Sequence, residues 1–147
     1  SGGPALFPLL GAGITELMSG NTTEALRYYE NAIDSFPHLA MAHMGMSYYY
    51  AYIGDQKKST AVEADAVGIG NSSGAQVHAL SRAIVASLRK DKIATLDWLK
   101  QAKLQADIWL IATRVEPCFF WLKDDADFKR TLKQIGVPQS ASRKEAR

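Results

Sequence analysis

The sequence predicts an all-α fold of three antiparallel helical hairpins with a C-terminal capping helix. Apolar residues recur at intervals of three and four along most of the chain, the spacing that gives a helix one buried face. Glycine and proline interrupt this pattern where one helix should turn into the next. Alternating β-branched runs and Asn-Gly turns, which indicate strands, are absent from the sequence.

The first hairpin is predicted over residues 5–37. Its first apolar stripe ends at the turn residue Gly20. Asn21, with Glu24 three residues later, forms a capping-box pattern and predicts the start of the returning helix. Pro37 ends that helix because proline lacks the N–H group that a helix interior requires.

The second hairpin is predicted over residues 38–71. It turns at Gly54-Asp55, and its returning helix is expected to stop at Gly68-Ile69-Gly70-Asn71. Two glycines in four residues favour an exit turn there, since glycine adopts a positive φ at little cost.

The third hairpin is predicted over residues 73–106. A capping-box pattern formed by Ser73 and Gln76 opens it, and Asp91 is expected to cap its returning helix. A capping segment should follow over residues 107–138 and cover the exposed side of this last hairpin.

The capping segment contains its own helix signals. Asp124 or Asp125 is expected to cap a helix from Ala126 to Ile135, which ends at Gly136. A carboxylate at this position also interacts favourably with the positive end of the helix dipole.

We expect one domain over residues 5–138, because 147 residues with 47% hydrophobic content can bury a single core. Residues 1–4 have the composition of a tag or a cut end, and residues 139–147 that of a flexible basic tail. Apolar runs long enough to cross a bilayer are missing, so we expect no membrane partner. The net charge of +2 does not favour nucleic-acid binding by this domain.

The first hairpin resembles the tetratricopeptide repeat. Tyr29 is expected to wedge between its two helices, which small residues allow to approach closely. In the second unit, two extra residues lie between Tyr48 and the turn, and Ser59 and Glu63 replace the usual alanine and aromatic residue. The residues that carry the resemblance in the first hairpin are Gly13, Gly20, Ala25, Tyr29, Ala32 and Pro37.

The stretch from Trp98 to Pro138 is similar to the ends of tetratricopeptide arrays at the C-termini of bacterial signalling proteins. This resemblance implies a right-handed superhelix (an α-solenoid) that serves as a cytoplasmic binding scaffold, or a periplasmic one if the parent protein is membrane-anchored. The attached domain would be a winged-helix regulator, a class III adenylate cyclase or a serine/threonine kinase. The matching motifs are Trp98-Leu99, Trp109-Leu110, Val115-Glu116-Pro117, Trp121-Leu122 and Gly136-Val137-Pro138.

Residues that could carry chemistry are few. Cys118 is the single cysteine, and no motif places a base beside it, so we interpret it as a buried thiol. His38, His43 and His78 lack the spacing that puts two metal ligands on one helix face. We therefore expect a protein that is not an enzyme, with no catalytic or metal-binding residue and no cofactor.

Four tyrosines, Tyr48-Tyr49-Tyr50 and Tyr52, are the most unusual local feature. A helix turns by about 100° per residue, so they cannot all face the hairpin core. Two interpretations remain open. Either Tyr48 and Tyr52 pack inside while the others meet the neighbouring repeat, or the run forms a patch that binds a partner.

The tetratricopeptide resemblance implies a groove lined by the first helix of each pair. Its candidate residues are unusually apolar, and they either bind an apolar segment or are covered by the chain's own ends or another copy. We expect a protein-protein interaction module for a peptide or helix of a partner or of the parent protein, with self-association into a homo-oligomer as the alternative. The candidate groove residues are Leu10, Ile14, Leu17, Met46, Tyr49, Tyr50 and Ile84.

Overall fold

The computed structural model describes residues 5–102 and 116–136, and predictions that fall on the other residues lie outside this description. Within these ranges the chain is helical apart from turns and contains no strand, which confirms the all-α prediction. None of the described helices has the length and apolar character needed to cross a membrane. The elements are α1 (Leu6–Met18), α2 (Thr22–Ser35), α3 (Ala40–Tyr52), α4 (Gln56–Ser73), α5 (Ala79–Leu88), α6 (Lys92–Ala102), a 3₁₀ helix (Glu116–Leu122) and α7 (Ala126–Ile135).

The helices pack in the three predicted pairs. α1 lies against α2, α3 against α4 and α5 against α6. The pairs are joined because α2 packs on α3 and because the first helices contact one another in the order α1, α3, α5. At the end of the chain the 3₁₀ helix lies on α5 and α7 lies on α6.

The turn inside each pair has the same geometry. Gly20, Gly54 and Lys90 all have a positive φ, at +84°, +89° and +63°. In each turn this residue donates its N–H to the carbonyl three residues earlier, and the next residue donates to the carbonyl five residues earlier. Lys90 therefore adopts a conformation that glycine favours, although it has a side chain.

Tyr29 is fully buried and fills the space between the first two helices and α3. A Cβ atom added to Gly13 would lie 2.2 Å from the ring atom Cε1, and one added to Gly45 would lie 2.3 Å from Cδ1. The ring therefore lies directly on the backbones of α1 and α3. The predicted wedge is confirmed, and Gly45 extends it to the second hairpin.

We predict that Gly13→Ala and Gly45→Ala each lower the free energy of unfolding by about 1–3 kcal/mol, because the new methyl group overlaps a ring that cannot move. Denaturant unfolding measures this change. Gly68→Ala is the matched control, since its Cβ would enter open space in α4. It should stabilise the protein by about 0.5–1 kcal/mol. Equal effects at the three glycines would contradict the wedge.

The second hairpin differs from the prediction in its register. α1 and α3 each have 13 residues, so no extra residues lie between Tyr48 and the turn. Counted back from the turn, Ser47 takes the position of Gly13, and it contacts Ser59 as that register requires. The additional length lies in α4, which has 18 residues where α2 has 14.

The predicted end of α4 at Gly68-Ile69-Gly70-Asn71 is wrong. The helix continues to Ser73 and ends at Gly74, which has a φ of +85° and donates its N–H to the Gly70 carbonyl. Gly70 has a packing role, because a Cβ atom there would lie 3.1 Å from the Ala75 carbonyl oxygen. The glycine lets the departing chain cross the helix closely.

Neither predicted capping box forms. The Asn21 side chain donates a hydrogen bond to Glu16 at 2.8 Å, and Glu24 pairs instead with Arg27. The Ser73 hydroxyl accepts from the N–H of Ala75, and α5 begins only after His78. Bonds to other nearby side-chain and backbone groups replace the expected bonds at the helix N-terminus.

The two predicted aspartate caps are confirmed. Asp91 accepts a hydrogen bond from the N–H of Ala94 at 3.1 Å. Asp125, one of the two candidates, accepts from the N–H of Phe128 at 2.9 Å. Gly136 ends α7 with a φ of +89°, as the sequence predicts.

A buried ionic cluster links the second and third hairpins. Glu63 in α4, with a side chain only 6% exposed, pairs with Arg82 at 2.8 Å and also with Arg89. Arg89 donates a further hydrogen bond to the hydroxyl of Ser59 at 3.0 Å. Ser47 and Ser59 exchange hydrogen bonds between their hydroxyls and backbone carbonyls across the hairpin.

We predict that Glu63→Gln lowers the free energy of unfolding by about 1–3 kcal/mol, because two partly buried guanidinium groups lose their countercharge. Glu24→Gln is the control, since Glu24 and Arg27 are well exposed, and it should change stability by less than about 0.5 kcal/mol. Thermal or denaturant unfolding distinguishes the two. Equal losses would show that burial of the cluster contributes nothing.

Candidate functional site

The structure divides the seven candidate groove residues into two sets. The members of the first set are in the hydrophobic core and show at most 5% exposure: Leu10, Ile14, Leu17 and Ile84. Met46, Tyr49 and Tyr50 are only partly buried, and all three lie on α3. A partner that docks on the folded chain without rearranging it can contact the second set only.

Partly exposed apolar residues recur at helical spacing along α3 and at Ile53, the residue that directly follows it. Met46, Tyr49, Tyr50 and Ile53 stand at positions i, i+3, i+4 and i+7, which fall on one helix face. We call these four residues the α3 stripe. Ile53 is 49% exposed and was missed in the sequence analysis, although its distance of seven residues from Met46 could have revealed it.

The four tyrosines have different environments. Tyr48 is buried and its hydroxyl is hydrogen-bonded to that of Ser81. Tyr52 is 39% exposed, so the prediction that it packs inside is wrong. Tyr49 and Tyr50 contact each other edge to face, with ring centroids 5.5 Å apart. This contact orients both rings before any partner arrives.

Positive charge lies beside one end of the α3 stripe. The Lys58 ammonium is 5.5 Å from the centroid of the Tyr50 ring, a cation–π distance. Lys58 and its exposed neighbour Lys57 are in the first turn of α4, which contains no acidic residue. Asp55 precedes this turn and accepts a hydrogen bond from the N–H of Lys58 at 3.1 Å.

The 3₁₀ helix Glu116–Leu122 packs on α5. The Ser87 hydroxyl donates to the Cys118 carbonyl at 2.7 Å and accepts from the indole N–H of Trp121 at 2.7 Å. Burial is the main cause that raises the pKa values of Tyr29 and Tyr48; the neighbouring Tyr48 raises that of Tyr29 further, and Cys118 raises both.

Cys118 is 2% exposed, as the sequence predicts, and burial raises the pKa of its thiol to about 12. A thiol with this pKa is almost entirely protonated at neutral pH, and the thiolate is the reactive form. Cys118 therefore packs as a small apolar residue in the native protein.

We predict slow alkylation of Cys118 by iodoacetamide at pH 8 in the native state, at least about 100-fold slower than in denaturant, because the thiolate is scarce and inaccessible. Mass spectrometry of the adduct follows the reaction. The rate should increase with pH up to about 12, as the thiolate fraction increases. Equal rates in native and denatured protein would contradict this burial.

An open cleft of about 890 Å³ lies between α6 and α7. Charges of both signs line it, and Lys92 pairs there with Asp125 at 2.7 Å and with Asp127 at 3.1 Å. The bond to Lys92 lowers the pKa of Asp125, and the bonds to Arg130 and then to Lys92 lower that of Asp127. The two carboxylates in turn raise the pKa of Lys92. Within the described ranges, no three His, Cys, Asp or Glu side chains are grouped to hold a metal ion.

Comparisons with models of known protein families, with curated proteins and with solved structures found no match to this chain.

Proposed function

We propose that this chain is a protein-interaction module that binds a helix or peptide of a partner, or of its parent protein, through the α3 stripe. The observation that carries the proposal is the partial exposure of four large apolar residues at helical spacing on one face. No chemical step is part of this function. The module acts by presenting a fixed surface.

The composition of α3 supports a binding role. A surface helix normally carries charged residues on its outer face. α3 contains no aspartate, glutamate, lysine or arginine, although its residues Tyr49 and Tyr50 reach the surface, as does Ile53 directly after it. Tyrosine supplies a large contact area and a hydrogen-bonding hydroxyl at low entropic cost, and it is enriched among the residues that dominate binding energy.

The finer architecture belongs to the same proposal. We infer a right-handed tetratricopeptide-type superhelix, supported by the three equivalent turns at Gly20, Gly54 and Lys90 and by the Tyr29 wedge. Similarity of the C-terminal motifs to bacterial signalling proteins supports placing the module at the regulatory end of such a parent protein.

Self-association is the second candidate. Exposed apolar residues also occur on the first and third hairpins, where Phe7 is 50% exposed and Ile93 is 75% exposed. Two such surfaces on one molecule allow head-to-tail contacts between copies. A constant molar mass in light scattering up to high micromolar concentration would exclude this candidate.

We predict that replacing Tyr49 and Tyr50 together by alanine weakens binding of peptides selected from a displayed peptide library by about 10-fold or more, as expected for two central aromatic contacts. Fluorescence anisotropy measures the affinity. Tyr52→Ala is the matched control, because Tyr52 is an exposed tyrosine of α3 outside the stripe.

The unfolding midpoint of the double variant separates binding from folding. It should remain close to that of the original protein, since both rings are only partly buried. A large loss of stability, or equal loss of affinity in the Tyr52 variant, would show that the α3 stripe is not the binding surface.

A further inference from the structure

We propose that the segment bound by the α3 stripe is an amphipathic helix that carries aspartate or glutamate within one turn of its apolar residues. This inference rests on the proposed function and specifies its partner. It follows from the position of Lys57 and Lys58 at the end of the α3 stripe.

The two lysines are an exception in their half of the chain. Up to Gly74 the sequence contains seven acidic residues and three basic ones. The third basic residue, Arg27, already pairs with Glu24 on α2. The two remaining basic residues of this half, Lys57 and Lys58, therefore lie next to the α3 stripe. Their charge disfavours basic partners and favours acidic ones.

Tyr50 joins the apolar and the charged parts of the surface. Its ring contacts Tyr49 on one side and lies 5.5 Å from the Lys58 ammonium on the other. We therefore expect one residue of the partner helix to pack on the Tyr50 ring. A second residue of that helix, about one turn away, then contacts the Lys58 ammonium. The cation–π contact holds the ammonium in place and so reduces the entropy lost when a carboxylate binds it.

The nearby acidic group does not cancel this charge. Asp55 accepts the N–H of Lys58 as the cap of α4, so its carboxylate lies at the positive end of that helix. The first turn of α4 contains no acidic side chain to pair with Lys57 or Lys58. Among the residues that the structure describes, no carboxylate forms an ion pair with either lysine, and both ammonium groups are exposed.

The spacing of the α3 stripe favours a helix over an extended peptide. Residues at i, i+3, i+4 and i+7 form a ridge that fits between the equivalent side chains of a second helix. Carboxylates are also stabilised in the first turn of a helix. We therefore expect the first turn of the partner helix to lie beside the lysines.

The test uses a displayed library of helical peptides with leucine fixed at i, i+3, i+4 and i+7 and with random residues at both ends. Selection on the full chain should enrich aspartate and glutamate at one end. Replacing Lys57 and Lys58 by glutamine should weaken the selected peptides by about 3- to 10-fold, the effect of one or two partly exposed ion pairs. The loss should shrink as salt is raised.

The control variant replaces Lys129 and Lys133 on α7 by glutamine. It also removes two positive charges, but from a helix that is distant in the sequence from the α3 stripe. It should leave the affinity unchanged. Peptides that depend on Tyr49 and Tyr50 but show no acidic enrichment, or bind equally to both lysine variants, would overturn this inference alone. If no selected peptide depends on Tyr49 and Tyr50, the proposed function fails together with it.

Discussion

The contact of the Tyr29 ring with two glycines fixes the distances between the first three helices. At Gly13 and Gly45 there is no room for even one methyl group beneath the ring. Tyr29 reaches this position because Ala25 and Ala32, on the same side of α2, are small and fully buried. Its hydroxyl has no hydrogen-bond partner among the described residues, which costs free energy that ring burial must offset. The position of α3, and of everything packed on it, follows from this contact.

In the second hairpin, polar residues occupy the positions that Tyr29 and its small neighbours have in the first hairpin. Counted from the turns, Ser47, Ser59 and Glu63 occupy the positions of Gly13, Ala25 and Tyr29. Serine hydroxyls there bond to backbone carbonyls, and Glu63 pairs with Arg82 of α5 and with Arg89 directly after it instead of filling space with a ring. An apolar wedge tolerates small shifts, whereas paired charges require defined directions. The Tyr29 ring thus links the second hairpin to the first by close packing. The pairs of Glu63 with Arg82 and Arg89 link it to the third by charge.

Sequence reasoning predicted the features that depend on a few neighbouring residues. The turns at Gly20 and Gly54, the helix end before Pro37 and the cap at Asp125 are local, and all are found. The two capping boxes are local predictions that failed, because Asn21, Glu24 and Ser73 bond to other nearby groups. The other errors concern residues whose role depends on distant ones. Gly68 and Gly70 suggested a helix end, because a glycine in the sequence does not show whether it serves a turn or a close packing contact. At Gly70 the contact with Ala75 shows that packing is the reason.

The candidate site was only partly predicted, because burial also depends on residues that are distant in the sequence. The tetratricopeptide resemblance placed Tyr49 and Tyr50 in the groove, but it could not show that Leu10, Leu17 and Ile84 lie in the core, because burial depends on which elements pack over them. α3 contacts α1, α2, α4 and α5, so its inner side is fixed by four neighbours. The α3 stripe is therefore held rigidly, and a partner loses little free energy to reorganisation of this surface. A surface so constrained selects partners by shape and charge.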